Sequence, residues 1–304
     1  MLDDVAVAAP TEERLAASVD IDRMPTLEVL RLINAEDATV AMAVSAVLPR
    51  LAELVDQAAA RVRAGGRIHY FGAGTSGRLA VIDAAELLPT FNVPAGMVTA
   101  HHAGGAEALI RAVENVEDKV ELGASEAAEV TAADVVIGLA ASGRTPYVSG
   151  ALSTARKVGA LTALITSNPN AELAPLADFL LVADTGPEVI TGSTRLKAGT
   201  AQKLMLNTFS TALMVRLGRT WSNLMVDMVA TNAKLRGRVV RLLVQATGAS
   251  ETDARAQLSA ANGELKPALL ALLAGVPVAG ARELLAAHGG SVAAALARVG
   301  SPSG

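Results

Sequence analysis

Thr75 and Ser76 stand in the run Arg67-Ile-His-Tyr-Phe-Gly-Ala-Gly-Thr-Ser-Gly-Arg78, where an apolar stretch gives way to three glycines and two hydroxyls. Hydroxyls and backbone N–H groups gathered at the start of a helix suit a single phosphate, because unsatisfied donors and the helix dipole both favour an anion. Gly72, Gly74 and Gly77 also spell G-x-G-x-x-G, the fingerprint of dinucleotide-binding turns. That reading needs an acidic residue about 20 positions further on to hold the ribose hydroxyls. The corresponding stretch, Gly96-Met-Val-Thr-Ala-His-His-Ala-Gly-Gly105, contains neither Asp nor Glu. The dinucleotide reading is set aside, and no cofactor is expected.

Two further runs repeat the chemistry. Ala141-Ser-Gly-Arg-Thr-Pro146 is another small-residue turn with hydroxyls, Ser142 and Thr145, ahead of a proline suited to a first helical turn. Thr191-Gly-Ser-Thr-Arg-Leu-Lys197 adds Ser193 and the cations Arg195 and Lys197 before a third helix. A single loop of this kind is ordinarily a helix cap. Three together favour a phosphorylated ligand, with Ser76, Ser142 and Thr145 as its main holders. Thr75 and Ser193 are expected to help, and Lys197 or Arg195 to add charge-assisted bonds. The histidines carry less. His101 and His102 are adjacent, so a strand points them to opposite faces and they cannot share a metal. His69 reads as a satisfied core residue. No metal-ligand spacing is visible.

These loops need a scaffold that brings strand ends together. Candidate strands are Ile68–Phe71, Gly96–Ala100, Asp134–Ala140, Leu161–Thr166 and Phe179–Val182, with helical stretches at Gly77–Leu88, Ala106–Leu122, Pro146–Lys157 and Asn170–Pro175 between them. Apolar strands alternating with helices predict a doubly wound α/β fold, a parallel sheet covered on both faces. In such a sheet two loops at neighbouring carboxyl ends face one crevice. Two helices are expected over Thr26–Val62 and a long one over Lys197–Leu217. Residues 1–25 read as an irregular arm. From about Arg236 onward, alanine-rich amphipathic segments punctuated by glycines predict a small all-α domain. The expected division is 1–65, 66–235 and 236–304.

Composition narrows the classes. A formal charge of −4 offers no basic footprint, so nucleic acid is an unexpected partner. There is no cysteine, which removes disulfides and thiolate chemistry and fits a cytoplasmic protein. The longest uncharged stretch, Leu87–Ala106, is broken by Pro89, Asn92, Pro94 and glycines, so no membrane span is expected.

Gly72-Ala-Gly-Thr-Ser-Gly-Arg78, continued by Asp83-Ala-Ala-Glu-Leu-Leu-Pro-Thr90, resembles the N-acetylmuramic acid 6-phosphate etherases of bacterial cell-wall recycling. So do Ala103-Gly-Gly105, Ala112-Val-Glu-Asn-Val-Glu-Asp118, Ala140-Ala-Ser-Gly-Arg-Thr-Pro-Tyr147, Glu188-Val-Ile-Thr-Gly-Ser-Thr-Arg-Leu-Lys-Ala-Gly-Thr-Ala-Gln-Lys203 and Asn223-Leu-Met-Val-Asp227. The similarity runs from Thr11 to Gly290. Departures fall at Leu15-Ala16, where the family tends to have Asn-Pro, and at Ser291–Ala294, where a basic residue is usual.

The resemblance implies a sugar isomerase (SIS) fold, a homodimer and a helical C-terminal domain like a ubiquitin-associated module. It implies a lyase that takes D-lactate from the 3-position of a phosphorylated amino sugar, leaving N-acetylglucosamine 6-phosphate. It makes Glu86 the acid that protonates departing lactate and Glu117 the base at carbon 2. The residues themselves say less. Glu86 follows Ala84-Ala85 and precedes Leu87-Leu88, an apolar setting in which a carboxyl pKa rises, as an acid requires. Glu117 lies in a charged patch that otherwise reads as a solvated helix face. His288, ahead of Gly289-Gly290, is a residue that a partner subunit could present. An aldose–ketose isomerase of the same fold and a non-catalytic sugar-phosphate regulator are the rival readings.

Overall fold

The computed structural model of the chain describes residues 9–111, 113–227 and 233–299. Residues 9–25 form three single turns of 3-10 helix (Pro10–Glu12, Ala16–Ser18 and Ile21–Arg23), with Thr11 accepting a hydrogen bond from the Gly192 N–H at 3.0 Å. The first residues of the expected arm, and Ala112, lie outside the described residues. Three helices follow where two were expected: α1 (Thr26–Asp37), α2 (Val40–Ser45) and α3 (Leu48–Arg63). Thr39 breaks the first pair by donating its hydroxyl back to the Glu36 carbonyl at 2.7 Å. Pro49, in the first turn of α3, brings no N–H to continue a helix from α2.

A parallel sheet then forms from β1 (Ile68–Gly72), β2 (Val98–His102), β3 (Val135–Leu139), β4 (Leu161–Thr166) and β5 (Phe179–Val182), in the order β2-β1-β3-β4-β5. This is the expected doubly wound arrangement. Its helices are α4 (Gly74–Phe91), α5 (Gly105–Ile110), α6 (Val120–Glu126), α7 (Pro146–Val158) and α8 (Lys197–Arg216).

Three expectations need correcting. The helix expected over Ala106–Leu122 is two short ones, because Arg111 is extended and Asn115 takes a φ of 61° between them. Asn170–Pro175 yields only a 3-10 turn at Ala174–Leu176, where Pro175 lacks the N–H of a longer helix. The second strand begins at Val98, since Gly96 is in a turn at φ 80°.

The two sheet faces differ in how they bury polar groups. On one, Tyr70 packs edge-on against Phe209 of α8, and Asp83 of α4 accepts hydrogen bonds from Tyr70, Asn207 and Ser210. Burial and the Asp83 charge hold the Tyr70 phenol well above its ordinary range. On the other, Phe71 stacks on His101 (4.2 Å between centroids) and tilts against Tyr147 of α7. Gly138 makes room for α7, since a Cβ there would lie 2.5 Å from Val148.

His69 is buried beside this stack, but it is only half satisfied. Its Nδ1 meets His101 Nε2 at 3.1 Å, whereas its Nε2 has no hydrogen-bond partner among the described residues and lies 3.8 Å from Asp134. Burial lowers both imidazoles, His101 to about 4, with His69 adding to the effect there. Burial pulls Asp134 the other way. The N–H groups of Thr131 and Arg67 outweigh it and bring that carboxyl below its usual value.

The chain divides into two compact units, one made of the residues up to Ala85 with Ala95–Ser210, the other of Glu86–Pro94 with the residues from Thr211. Beyond the ends of α4 and α8, the described residues of the second unit hold a short hairpin, β6 (Thr220–Trp221) with β7 (Leu224–Met225), and the helices α9 (Ala233–Thr247), α10 (Glu251–Ala260), α11 (Leu265–Ala274), α12 (Val278–Ala287) and α13 (Val292–Val299). Its core is aliphatic, from Val239 and Leu243 through Ala268 and Leu269 to Val292. Ser250 caps α10 by accepting from the Asp253 N–H at 3.1 Å. Among the described residues no single helix is long and apolar enough to cross a membrane.

Candidate active site

β1 and β3 are hydrogen-bonded neighbours, with Gly72 opposite Leu139, so the loops that follow them leave the sheet side by side. β1 also pairs with β2, and strand order reverses here, at the place where open α/β sheets bind ligands.

After β1 the chain turns at once into α4. Gly74 takes a φ of 53°, and Gly77 sits so close to Gly72 that a Cβ on it would come within 2.4 Å of the Gly72 carbonyl oxygen. This compact turn puts Thr75, half-buried, and Ser76, buried, in the first turn of α4. His102 supports the turn from β2, its Nε2 lying 3.2 Å from the Gly74 carbonyl. Arg78 donates to the carbonyls of Ala108, Leu109 and Arg111, taking up the free end of α5.

After β3 the loop is more open. Gly143 takes a φ of 72°, Asn168 donates to the Ser142 carbonyl at 2.9 Å, and Thr166 donates to the Ala141 carbonyl at 3.1 Å. Ser142 and Thr145 are half-buried. Thr145 is the N-cap residue of α7, but its side chain makes no capping bond. The simplest alternative to phosphate binding, a routine cap, is therefore not what this hydroxyl does.

Beside the β1 loop lies a cavity of about 400 Å³ lined by Gly74, Arg78, His102, Glu114, Asn115 and Glu117 among others. Glu117 is exposed, and its own carbonyl accepts the Tyr147 N–H at 2.9 Å. That bond ties the Glu117 segment to the start of α7, while the Tyr147 hydroxyl donates to Glu126 of α6. Burial and the neighbouring Glu126 carboxylate push the Tyr147 phenol far up. α6 and α7 approach closely because Gly123 and Gly150 carry no Cβ, which would clash with the carbonyls of Tyr147 and Val120.

The third loop is arranged differently from the other two. Ser193 is half-buried and Arg195 exposed. Glu188, fully buried, accepts the N–H groups of Lys197 and Ala198, both at 3.0 Å, and so caps α8 with a carboxylate. Burial raises the Glu188 pKa against the pull of those two bonds. Lys197 is buried too, with its Nζ 2.6 Å from Glu36 of α1. The cation expected to meet phosphate already has a carboxylate partner.

Glu86 and His288 belong to the second unit. Glu86 is exposed on α4, so this chain alone does not enclose it in apolar surroundings. His288 is half-buried, and its Nδ1–H donates to the Leu284 carbonyl at 2.8 Å.

Two profiles of known families match. One, described as the glucokinase regulatory protein N-terminal SIS domain, covers residues 50–156, and the other, the SIS domain, covers residues 107–212. The chain is 60% identical over 267 residues to an N-acetylmuramic acid 6-phosphate etherase of Thermobifida fusca, covering 88% of both chains. The chain belongs to this etherase family. A relative of the same name from Symbiobacterium thermophilum is 54% identical, with 88% of this chain and 89% of the relative covered. Another from Pectobacterium atrosepticum is 51% identical, with 94% and 95% covered. Among solved structures, a phosphoheptose isomerase from Francisella tularensis matches with a TM-score of 0.53 at 18% identity, over 63% of this chain and 100% of its own. That likeness shows the shared fold.

Sequence reasoning passed over three polar residues packed around these loops: Glu188, Glu36 and Gln202. Gln202 carried a usable signal. It is a polar residue within the apolar stripe of α8 formed by Ala198, Ala201, Met205, Leu206 and Phe209.

Proposed function

We propose that this chain cleaves the D-lactyl ether of N-acetylmuramic acid 6-phosphate, giving N-acetylglucosamine 6-phosphate and D-lactate in amino sugar recycling. The observation that carries this reading is 60% identity across 88% of the chain to a relative of that name. Two hydroxyl-bearing loops at adjacent strand ends support it. Ser76, Ser142 and Thr145 hold the phosphate by neutral donation, with Thr75 and Ser193 beside them.

The chemistry needs two proton transfers. In the open-chain sugar the proton on carbon 2 is acidified by the neighbouring aldehyde, and Glu117, as carboxylate, removes it. The bond from carbon 3 to the lactate oxygen then breaks, that oxygen takes a proton from Glu86, and a carbon–carbon double bond forms. Water adds at carbon 3 and a proton returns to carbon 2, which restores both carboxyl groups. The enzyme works in the cytoplasm as a homodimer. Exposed Ile82 lies one turn before Glu86 on the same face of α4 and is apolar surface a second subunit would cover.

The test is D-lactate release from the phosphorylated sugar. Glu86→Gln and Glu117→Gln are each expected to slow release about 1,000-fold, and Glu117→Gln to abolish exchange of the carbon-2 proton with solvent. A ketose product without lactate would instead identify an isomerase. Tight binding without turnover would identify a regulator.

A further inference from the structure

Gln202 lies on α8, 1% exposed, with its Oε1 2.9 Å from Ser76 Oγ, which donates to it. Its Nε2 is equally buried and, among the described residues, has no hydrogen-bond partner. This is an unfavourable way to place an amide, because a buried N–H without an acceptor retains its full desolvation cost. It also conflicts with the task of Ser76. A serine hydroxyl has one proton. While that proton goes to Gln202, Ser76 can present only lone pairs to a phosphate whose oxygens are themselves acceptors.

A half-turn of the amide about its terminal bond removes both difficulties. Nε2 then donates to Ser76 Oγ, and the Ser76 hydroxyl points its proton at the ligand. The orphan becomes a carbonyl oxygen, which proteins leave unpaired more readily than an N–H. The resulting row of donors, from amide to hydroxyl to phosphate, is mutually polarising. We propose that Gln202 is a positioning residue whose amide N–H, turned toward Ser76 Oγ, directs the Ser76 proton at a bound phosphate. This rests on the reading of Ser76 as a phosphate holder.

The experiment measures kcat and KM for D-lactate release, and inhibition by inorganic phosphate, in Ser76→Ala, Gln202→Glu, Gln202→Met and the Ser76→Ala/Gln202→Met double variant. A carboxylate at position 202 can only accept, so Gln202→Glu keeps the serine proton and adds a repelling charge. Its KM is expected to rise about 30-fold at pH 8, with kcat little changed and phosphate inhibition lost. Much of the loss should return near pH 5, where a protonated carboxyl can donate to Ser76. Gln202→Met keeps the volume and loses the polarity. It should raise KM about fivefold without that pH dependence, and should add less than twofold to Ser76→Ala, since no hydroxyl remains to orient. If Ser76→Ala leaves KM unchanged, the phosphate reading itself fails. If Ser76→Ala raises KM while Gln202→Glu shows no recovery at low pH, or Gln202→Met multiplies fully with Ser76→Ala, Gln202 is only a packing residue and this inference alone is overturned.

Discussion

The loops after β1 and β3 are built from the same small residues, yet they bind their hydroxyls in opposite ways. The β1 loop is closed by glycine against glycine, passes into α4 without a pause, and places Ser76 inside a side-chain hydrogen bond with Gln202. The β3 loop is held through its main chain, by Asn168 and Thr166, and leaves Ser142 and Thr145 half-buried with the Thr145 cap unused. The first loop therefore fixes a donor's direction through a neighbouring side chain, while the second fixes a backbone path and leaves its hydroxyls to turn. On the proposed reading, a phosphate between them would meet one oriented donor and two adaptable ones.

Substitutions that attack each loop by its own weakness should separate them. Gly77→Ala brings a Cβ to 2.4 Å from the Gly72 carbonyl oxygen and 2.5 Å from the His102 ring, a clash that includes rigid backbone. It should cost more than about 3 kcal/mol in urea unfolding, or prevent folding. Gly143→Ala meets the Ala171 Cβ at 2.3 Å from a φ of 72°, a clash with a side-chain methyl first and with the Ala171 Cα at 2.8 Å behind it, and the loss should be about 2 kcal/mol. Among the hydroxyls, Ser76→Ala should raise KM about 30-fold and Thr145→Val only about fivefold, because the oriented donor is the harder to replace. Equal effects would erase the distinction between the loops.

Acid gives a gentler contrast. His101, lowered to about 4, sits on β2 against β1, and its protonation is opposed by burial and by His69. Because the folded value is the lower one, stability is complete above the ordinary histidine pKa and declines as pH falls from there toward 4. Hydrogen-exchange protection of β1 and β2 amides should drop by about 2 kcal/mol between pH 8 and pH 5, more than that of β4 and β5.

Much of the scaffold was legible because its signals are local. β4 and β5 were bounded to the residue by runs of Leu, Ile and Val, and Pro146 marked the start of α7. The break between α5 and α6 was not legible, since Arg78, some 30 positions away, takes up the carbonyls that end α5. The loops of the candidate site stood out by composition, whereas the residues that tune them did not. Lys197 reads as a free cation until Glu36, 161 positions earlier, is found against it. Glu188 reads as an ordinary polar residue because only the fold shows it buried, whereas Gln202 interrupts an apolar helical stripe.

Glu188 has one more consequence. A carboxylate of the chain's own occupies the positive end of α8, and Lys197 beside it is neutralised by Glu36. An anion arriving at this corner finds neither an open helix end nor an unpaired lysine, so apart from exposed Arg195 the attraction it feels there is short-ranged and belongs to uncharged donors. Affinity gained this way is indifferent to dissolved salt, which screens charges across several ångströms and leaves contact hydrogen bonds largely alone. The etherase should then keep its grip on a doubly charged sugar phosphate through wide swings in ionic strength, with KM shifting by no more than about twofold.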